Sequence, residues 1–315
     1  SYKTNYTPRV CCLVKQLGGY AEVVSDMEYE LAKKIGYENS RIIFNGPYKG
    51  EKLEEHLLDG GIVNADHLQE VKRLINLCRK YPGQEFQIGI RVNIDVEQNF
   101  ISRFGIDAAS DDLEEAFRLV RESKNVTIVG LHCHISRARN LAAWKKRTET
   151  MLSLADKYFE IPPKYIDLGS GMYGDMEEDL AKQFGNDVPT YEDYAAVVGI
   201  LFKEHYGELS EADMPVLFTE PGTTLISRYV GLLCEVTSIK RIKNKWFAIL
   251  NCSNENLGEI STMKKLPMQI LNRGGNLMKN AGVSETVSDL FQTNFYKSVD
   301  LDGYTCLEQD VIYPE

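Results

Sequence analysis

No apolar run in the 315 residues approaches the length needed to cross a bilayer, and no secretory leader is visible. Internal repeats and low-complexity tracts are missing as well. There is no basic surplus either. The formal net charge of -10 argues against nucleic acid or an anionic membrane surface as the main partner. Cysteine is sparse and badly spaced for a metal: the seven residues Cys11, Cys12, Cys78, Cys133, Cys234, Cys252 and Cys306 are scattered and odd in number. Reduced thiols in a cytoplasmic protein are therefore expected. His132-Cys133-His134 has the composition of a metal cluster. In a strand, however, residues 132 and 134 share a face while 133 points the other way, and no further ligand cluster accompanies them, so no metal is expected.

What is present is an ordinary globular composition, 43% hydrophobic and 26% charged, enough for one large domain and a smaller one. The chain is organised around Tyr165-Ile166-Asp167-Leu168-Gly169-Ser170-Gly171-Met172-Tyr173-Gly174, an apolar run that breaks into three glycines. That pattern predicts a buried strand ending in a tight loop whose N–H groups can approach an anion, a phosphate above all. A second apolar run, Met214 to Thr219, ends in Glu220-Pro221-Gly222-Thr223 and supplies another glycine turn. In a (β/α)8 barrel the loops after strands seven and eight commonly build a phosphate site, and these two runs fall where those strands would.

Taken in order, the sequence predicts helices over 9–17, 25–35, 49–58, 67–80, 111–123, 141–159 and 191–205. Between them it predicts strands over 21–24, 41–44, 61–64, 87–92, 126–134, 165–168 and 214–219. Counting from a first strand at Tyr2-Lys3, eight strands would close an α/β (β/α)8 TIM barrel over residues 1–225. Residues 226–315 change texture, with strand-like runs over 229–239, 246–251 and 295–300, and read as a β-rich domain. The charged run Arg241-Ile242-Lys243-Asn244-Lys245 reads as a solvated turn.

Several short pieces, in this order, resemble the pyridoxal-phosphate decarboxylases of the alanine-racemase-like barrel class, which include diaminopimelate, ornithine and arginine decarboxylases. They are Ser1-Tyr2-Lys3-Thr4-Asn5, Ala21-Glu22-Val23-Val24-Ser25, Ile43-Phe44-Asn45-Gly46, Arg91-Val92-Asn93, Arg103-Phe104-Gly105, Gly130-Leu131-His132-Cys133-His134-Ile135, Asp167-Leu168-Gly169-Ser170-Gly171, Glu220-Pro221-Gly222, and Cys306 with Asp310. The resemblance implies that Lys3 carries pyridoxal 5'-phosphate as a Schiff base and that His134 stacks on its ring. It implies that Glu220 contacts the pyridine nitrogen and keeps it protonated, which favours loss of CO2 over racemisation. Gly169, Ser170, Gly171, Gly222 and Thr223 would hold the phosphate, with Glu22 and Arg91 beside the ring as a charge pair. Cys306 would enter a partner subunit's site as a proton donor or positioning group, so the resemblance implies a homodimer with shared active sites acting on a small amino acid.

Four departures qualify what carries over. Ser136-Arg137 stands where the family has Gly-Ser, and Thr223 where it has arginine, so Arg137 is expected to supply the missing charge at the phosphate or the far end of the substrate. Cys252 stands where the ornithine branch has an aspartate for a distal amine, which leaves Glu308 or Asp310 to receive an ammonium. The family also has strands before the lysine and after the cysteine, so the β-rich domain is expected to be incomplete and the chain part of a larger one or in need of a complementing chain. Three other readings stand beside the decarboxylase: a weakly active homologue that regulates a partner protein, a single-barrel pyridoxal-phosphate carrier, and a racemase.

Overall fold

The structure, a computed structural model, describes residues 1–97, 101–185, 188–257, 264–272, 274–277 and 299–313. Its first half runs α1 (Pro8–Gln16), β1 (Ala21–Val23), α2 (Asp26–Ile35), β2 (Ile42–Phe44), α3 (Lys52–Leu58), β3 (Ile62–Ala65), α4 (Leu68–Cys78), β4 (Phe86–Asn93), β5 (Ile106–Asp107), α5 (Asp111–Arg121) and β6 (Val126–His132). It continues with α6 (Leu141–Tyr158), β7 (Tyr165–Asp167), α7 (Glu178–Ala181), α8 (Tyr191–Tyr206), β8 (Val216–Phe218) and α9 (Thr223–Ile226), then β9 (Val236–Ile242), β10 (Lys245–Leu250), β11 (Asp300–Asp302) and β12 (Val311–Tyr313). The chain divides into two compact units, one of residues 1–175 and 189–226, the other of 176–188 and 227–315.

The first unit is a (β/α) barrel-type fold, its parallel sheet curled as a half-barrel in the order β1-β2-β3-β4-β6-β7-β8, with β5 paired to β4. β1, β2 and β7 are buried at every residue, as parallel strands covered on both faces must be. Local signals fix where the helices start. Ser25 accepts from the Glu28 amide while Glu28 accepts from Val24, and Thr190 and Asp193 form a capping box at α8. Asn140 caps α6 through the Ala143 amide. On α6, Trp144, Arg147, Met151 and Ala155 recur at helical spacing on the buried face.

The expected first strand at Tyr2-Lys3 is a turn instead. The Tyr2 amide donates to the Glu22 carbonyl at 3.0 Å on β1, and the Ser1 ammonium to the Pro221 carbonyl at 3.4 Å beyond β8. Pro221 has no N–H to return, so a ladder cannot propagate there. Residues 1–4 nevertheless touch both edges of the sheet.

In the second unit β12, β11, β10 and β9 form one sheet in that order. β9 and β10 are antiparallel, and the charged run lies at their turn, where Lys243 takes φ 56°. β10 and β11 run parallel. Of the strand expected at 295–300, residues 295–298 lie outside the described residues and Asp300 begins β11. Among the described residues no helix is long and apolar enough to cross a membrane.

Candidate active site

Parallel α/β sheets present their reactive loops at the carboxyl ends of the strands. There, two loops pack back to back. Gly169 and Gly171 take φ of 65° and 90°, and a Cβ on Gly169 would lie 2.7 Å from the Cys133 carbonyl oxygen, while one on Gly171 would strike the Ile135 carbonyl. Only glycine permits both the backbone conformation and the contact. The loop after β8 joins them, since Thr224 donates to the Met172 carbonyl at 3.1 Å and accepts from Tyr191 at 2.6 Å.

Glu220, two residues past β8, is the charge centre of this end. Its Oε2 lies 2.8 Å from His134 Nδ1 and its Oε1 3.5 Å from His132 Nε2. Asn45, just past β2, also donates to Oε1. Behind Asn45 runs a buried relay, with Tyr165 donating to Asn64 at 2.6 Å and Asn64 to Asn45 at 2.7 Å. Glycine at 89 and 130 makes room for it, because a Cβ at either position would strike Tyr165. The ligand atoms of His132, His134 and Glu220 lie within 4.8 Å of one another, and here they are joined by contact between the rings and the carboxylate.

Burial pushes both imidazoles down, His132 to about 4, against the pull of Glu220, so both rings are neutral at pH 7. Burial alone would raise Glu220, but pairing with the two histidines brings it well below the usual carboxylate range. Asp167 is held well above its ordinary value by burial and by the neighbouring Glu220 charge. Its Oδ1 accepts from the Gly169 amide at 2.8 Å. When His134 Nδ1 donates to Glu220 it has no lone pair for the Ser170 amide, 3.3 Å away, which leaves that amide to a better acceptor.

Lys3 is exposed, and its ammonium is close enough to Glu22, Glu28 and His134 to act on each electrostatically. Thr4 packs so tightly on Gly222 that a Cβ there would collide with its hydroxyl. Glu22 is buried, and burial together with Glu220 pushes its carboxyl up to about 7. Arg91 pairs with Asp66 at 3.2 Å and stacks on Phe104 at 4.7 Å, so its partner is Asp66 where Glu22 was expected. Thr223 and Arg137 are exposed at the same end. In the second unit, Cys306 and Glu308 are exposed. Asp310 is buried and accepts from the Asn254 amide at 2.8 Å and from the Thr305 amide and hydroxyl at 3.1 and 2.5 Å, which commits its carboxylate to that turn.

Sequence reasoning missed Asn64, Tyr165, Asp66, Trp144 and Arg147 as members of this end. Arg147 had a legible signal, a charge on the apolar stripe of α6.

The residues fit a planar ring with an anionic tail. The glycine loops form a cradle that a Cβ would fill, and both nitrogens of the buried His132 ring lack a hydrogen-bond partner among the described residues. Such a mouth is that of a cofactor-binding α/β barrel. Residues 1–227 match the family described as "Pyridoxal-dependent decarboxylase, pyridoxal binding domain", and the chain belongs to that family. Its cofactor is pyridoxal 5'-phosphate. The diaminopimelate decarboxylase of Aquifex aeolicus is 29% identical over 271 residues, 81% of this chain and 60% of that protein. That of Methanocaldococcus jannaschii is 27% identical over 265 residues, 79% of this chain and 58% of the relative. This chain thus spans about three-fifths of the length of these curated relatives. Among solved structures, a diaminopimelate decarboxylase from M. jannaschii in complex with L-lysine superposes with TM-score 0.74 at 20% identity, covering 99% of this chain and 69% of that one. The arginine decarboxylase of Paramecium bursaria Chlorella virus gives 0.75 at 18%, covering 99% and 76%. At these identities the solved structures show a common fold.

Proposed function

We propose that this protein is a pyridoxal-phosphate-dependent carboxy-lyase that decarboxylates a small amino acid. The observation that carries the reading is the meeting of residues 1–4 with Pro221 and Gly222, next to Glu220: the Lys3 ammonium acts on His134, which pairs with Glu220, beside two glycine turns although these residues are far apart in the chain. The curated relatives named diaminopimelate decarboxylase support an amino-acid substrate.

Bound pyridoxal phosphate supplies an electron sink for the pair left on Cα when CO2 departs. Lys3 would provide the primary amine that holds it. Glu220, kept anionic beside His132 and His134, would accept a hydrogen bond from the protonated ring nitrogen and so keep the proton on that nitrogen, which favours decarboxylation over racemisation. His134 would lie against the ring, with Glu22 and Arg91 beside it. Gly169, Ser170, Gly171, Gly222 and Thr223 would hold the phosphate, and Arg137 would supply positive charge at the phosphate or at the far end of the substrate. Cys306, with Glu308 and Asp310 near it in sequence, would reach the site of a second copy, where its exposed thiol would donate the proton to Cα. A homodimer with shared sites follows. Seven free cysteines support a reducing compartment, the cytoplasm.

The test is a visible absorbance band on adding the cofactor that borohydride fixes to Lys3, followed by mass spectrometry of products from diamino, acidic and carrier-linked amino acids. Loss of CO2 from one class identifies the substrate. A band without any decarboxylation would sink the enzymatic reading and leave a cofactor-binding regulator.

A further inference from the structure

The α6 arginine is fully buried, yet among the described residues no carboxylate lies within ion-pair distance of it. Its guanidinium instead meets main-chain carbonyls of the two loops. Arg147 Nη1 donates to the carbonyls of Leu168 at 2.8 Å and Ser170 at 2.6 Å, and Nη2 to those of Ile135 at 2.9 Å and Ala138 at 3.5 Å. One turn earlier, Trp144 Nε1 donates to the Gly171 carbonyl at 2.9 Å, and the guanidinium lies 4.5 Å from the Trp144 ring. Burial pushes the Arg147 pKa down, but a guanidinium does not lose its proton in a folded protein.

Two consequences follow. In a trans peptide the carbonyl of one residue and the N–H of the next point in opposite directions, and the chain has no cis bond among the described residues. Drawing the carbonyls of Ile135, Ser170 and Gly171 toward α6 therefore turns the amides of Ser136, Gly171 and Met172 the other way. None of those three amides donates a hydrogen bond among the described residues. The second consequence is electrostatic: a full positive charge lies buried behind the loops, in addition to the exposed Arg137 next to Ser136 on the loop after β6. An uncompensated buried charge is costly and calls for a counter-charge.

We propose that Arg147 is the phosphate-positioning residue of this site. From behind the loops it aims the Ser136, Gly171 and Met172 amides at the cofactor phosphate and supplies the buried positive charge that the phosphate neutralises. The proposal rests on the reading of these loops as a phosphate cradle. It makes Arg147 a determinant of phosphate recognition with no direct contact to the reacting atoms.

The experiment compares binding of pyridoxal 5'-phosphate and of pyridoxal, which lacks the phosphate, to the unaltered chain and to Arg147→Met, Arg147→Lys and Trp144→Phe by titration calorimetry. The unaltered chain must prefer the phosphorylated form; if it does not, the cradle itself is misread, whatever Arg147 does. Given that preference, Arg147→Met is expected to weaken pyridoxal 5'-phosphate by about 10- to 100-fold while pyridoxal changes by less than about 2-fold. Arg147→Lys, which keeps the charge and loses the fork, should fall between. Equal loss for both ligands makes Arg147 merely structural and overturns the proposal, as does no loss at all. If Arg147→Met does not fold, Trp144→Phe decides: a selective loss of the phosphorylated ligand supports the proposal, and a parallel loss or no loss overturns it.

Discussion

On the β2–β4 side of the sheet, Lys49 is wholly buried with Nζ 2.9 Å from Glu70, and Arg91 is buried 3.2 Å from Asp66. On the β6–β8 side Arg147 is as deeply buried, but among the described residues its hydrogen bonds go to carbonyl oxygens and its guanidinium lies over the Trp144 ring. The difference separates scaffold from site. Lys49 is closed into a local circuit: it also donates to the Gly46 carbonyl at 2.7 Å, and the second oxygen of Glu70 accepts from the Asp66 amide at 2.7 Å. Burial lowers the Lys49 pKa, and Glu70 raises it again. A cation matched in this way needs nothing from outside, whereas Arg147 turns the Ser136, Gly171 and Met172 amides outward, where the proposed phosphate would meet them.

Lys3 belongs to neither arrangement and sets the scale. Because it is exposed, Lys3→Ala should leave the urea midpoint where it was while decarboxylation falls by on the order of 10²- to 10⁴-fold, read as product formation per mole of protein. A parallel loss of stability would mean that the segment is structural.

Next in size is breaking the matched side. Glu70→Gln leaves the Lys49 ammonium buried without a counter-charge and should cost about 3–5 kcal/mol in urea unfolding, with the preference for the phosphorylated cofactor over pyridoxal unchanged. Replacing Lys49 and Glu70 together by methionine should recover most of that stability, since a matched pair contributes little net. If Glu70→Gln instead erased the phosphate preference, the two sides would be one system and the distinction would fail.

Much of this was readable before the structure. The alternation of strands and helices and the glycine turns are local patterns, and local patterns are what periodicity and turn chemistry encode, whereas Lys3, His134 and Glu220 are singled out by the family resemblance alone. Other features depended on tertiary placement. Arg91 pairs with Asp66 because β3 and β4 lie side by side, a fact no spacing in the sequence carries. The Tyr165–Asn64–Asn45 relay crosses three strands and is invisible for the same reason. Tyr2-Lys3 read as the first of eight strands by count, but its two backbone contacts go to different neighbours, and the proline on one side cannot extend the ladder. Arg147 could have been found, since a charge recurring with Trp144, Met151 and Ala155 on an apolar stripe is either misplaced or functional.

The smallest effect concerns Glu22, which lies between the two sides. Its carboxyl is raised to about 7 from 4.5 by burial and by the Glu220 charge, with Lys3 pulling it back down. Between pH 4.5 and about 7 the folded chain therefore holds a proton on Glu22 that the unfolded chain has released. Stability falls with rising pH wherever the native state binds more protons, so this group stabilises the fold below pH 4.5 and loses that contribution as pH rises through 7. Glu22→Gln stays neutral throughout and should flatten that part of the pH dependence, leaving the variant more stable than the unaltered chain at pH 8 by roughly 1–3 kcal/mol. Binding of the cofactor phosphate should be insensitive to this substitution, because Glu22 faces the Glu220 carboxylate rather than the Arg147 loops. Thermal unfolding at pH 5, 6, 7 and 8 for both proteins measures it. Parallel curves would place Glu22 in water, ionised like an ordinary carboxylate, and remove it from the buried charge system that joins Lys3 to Glu220.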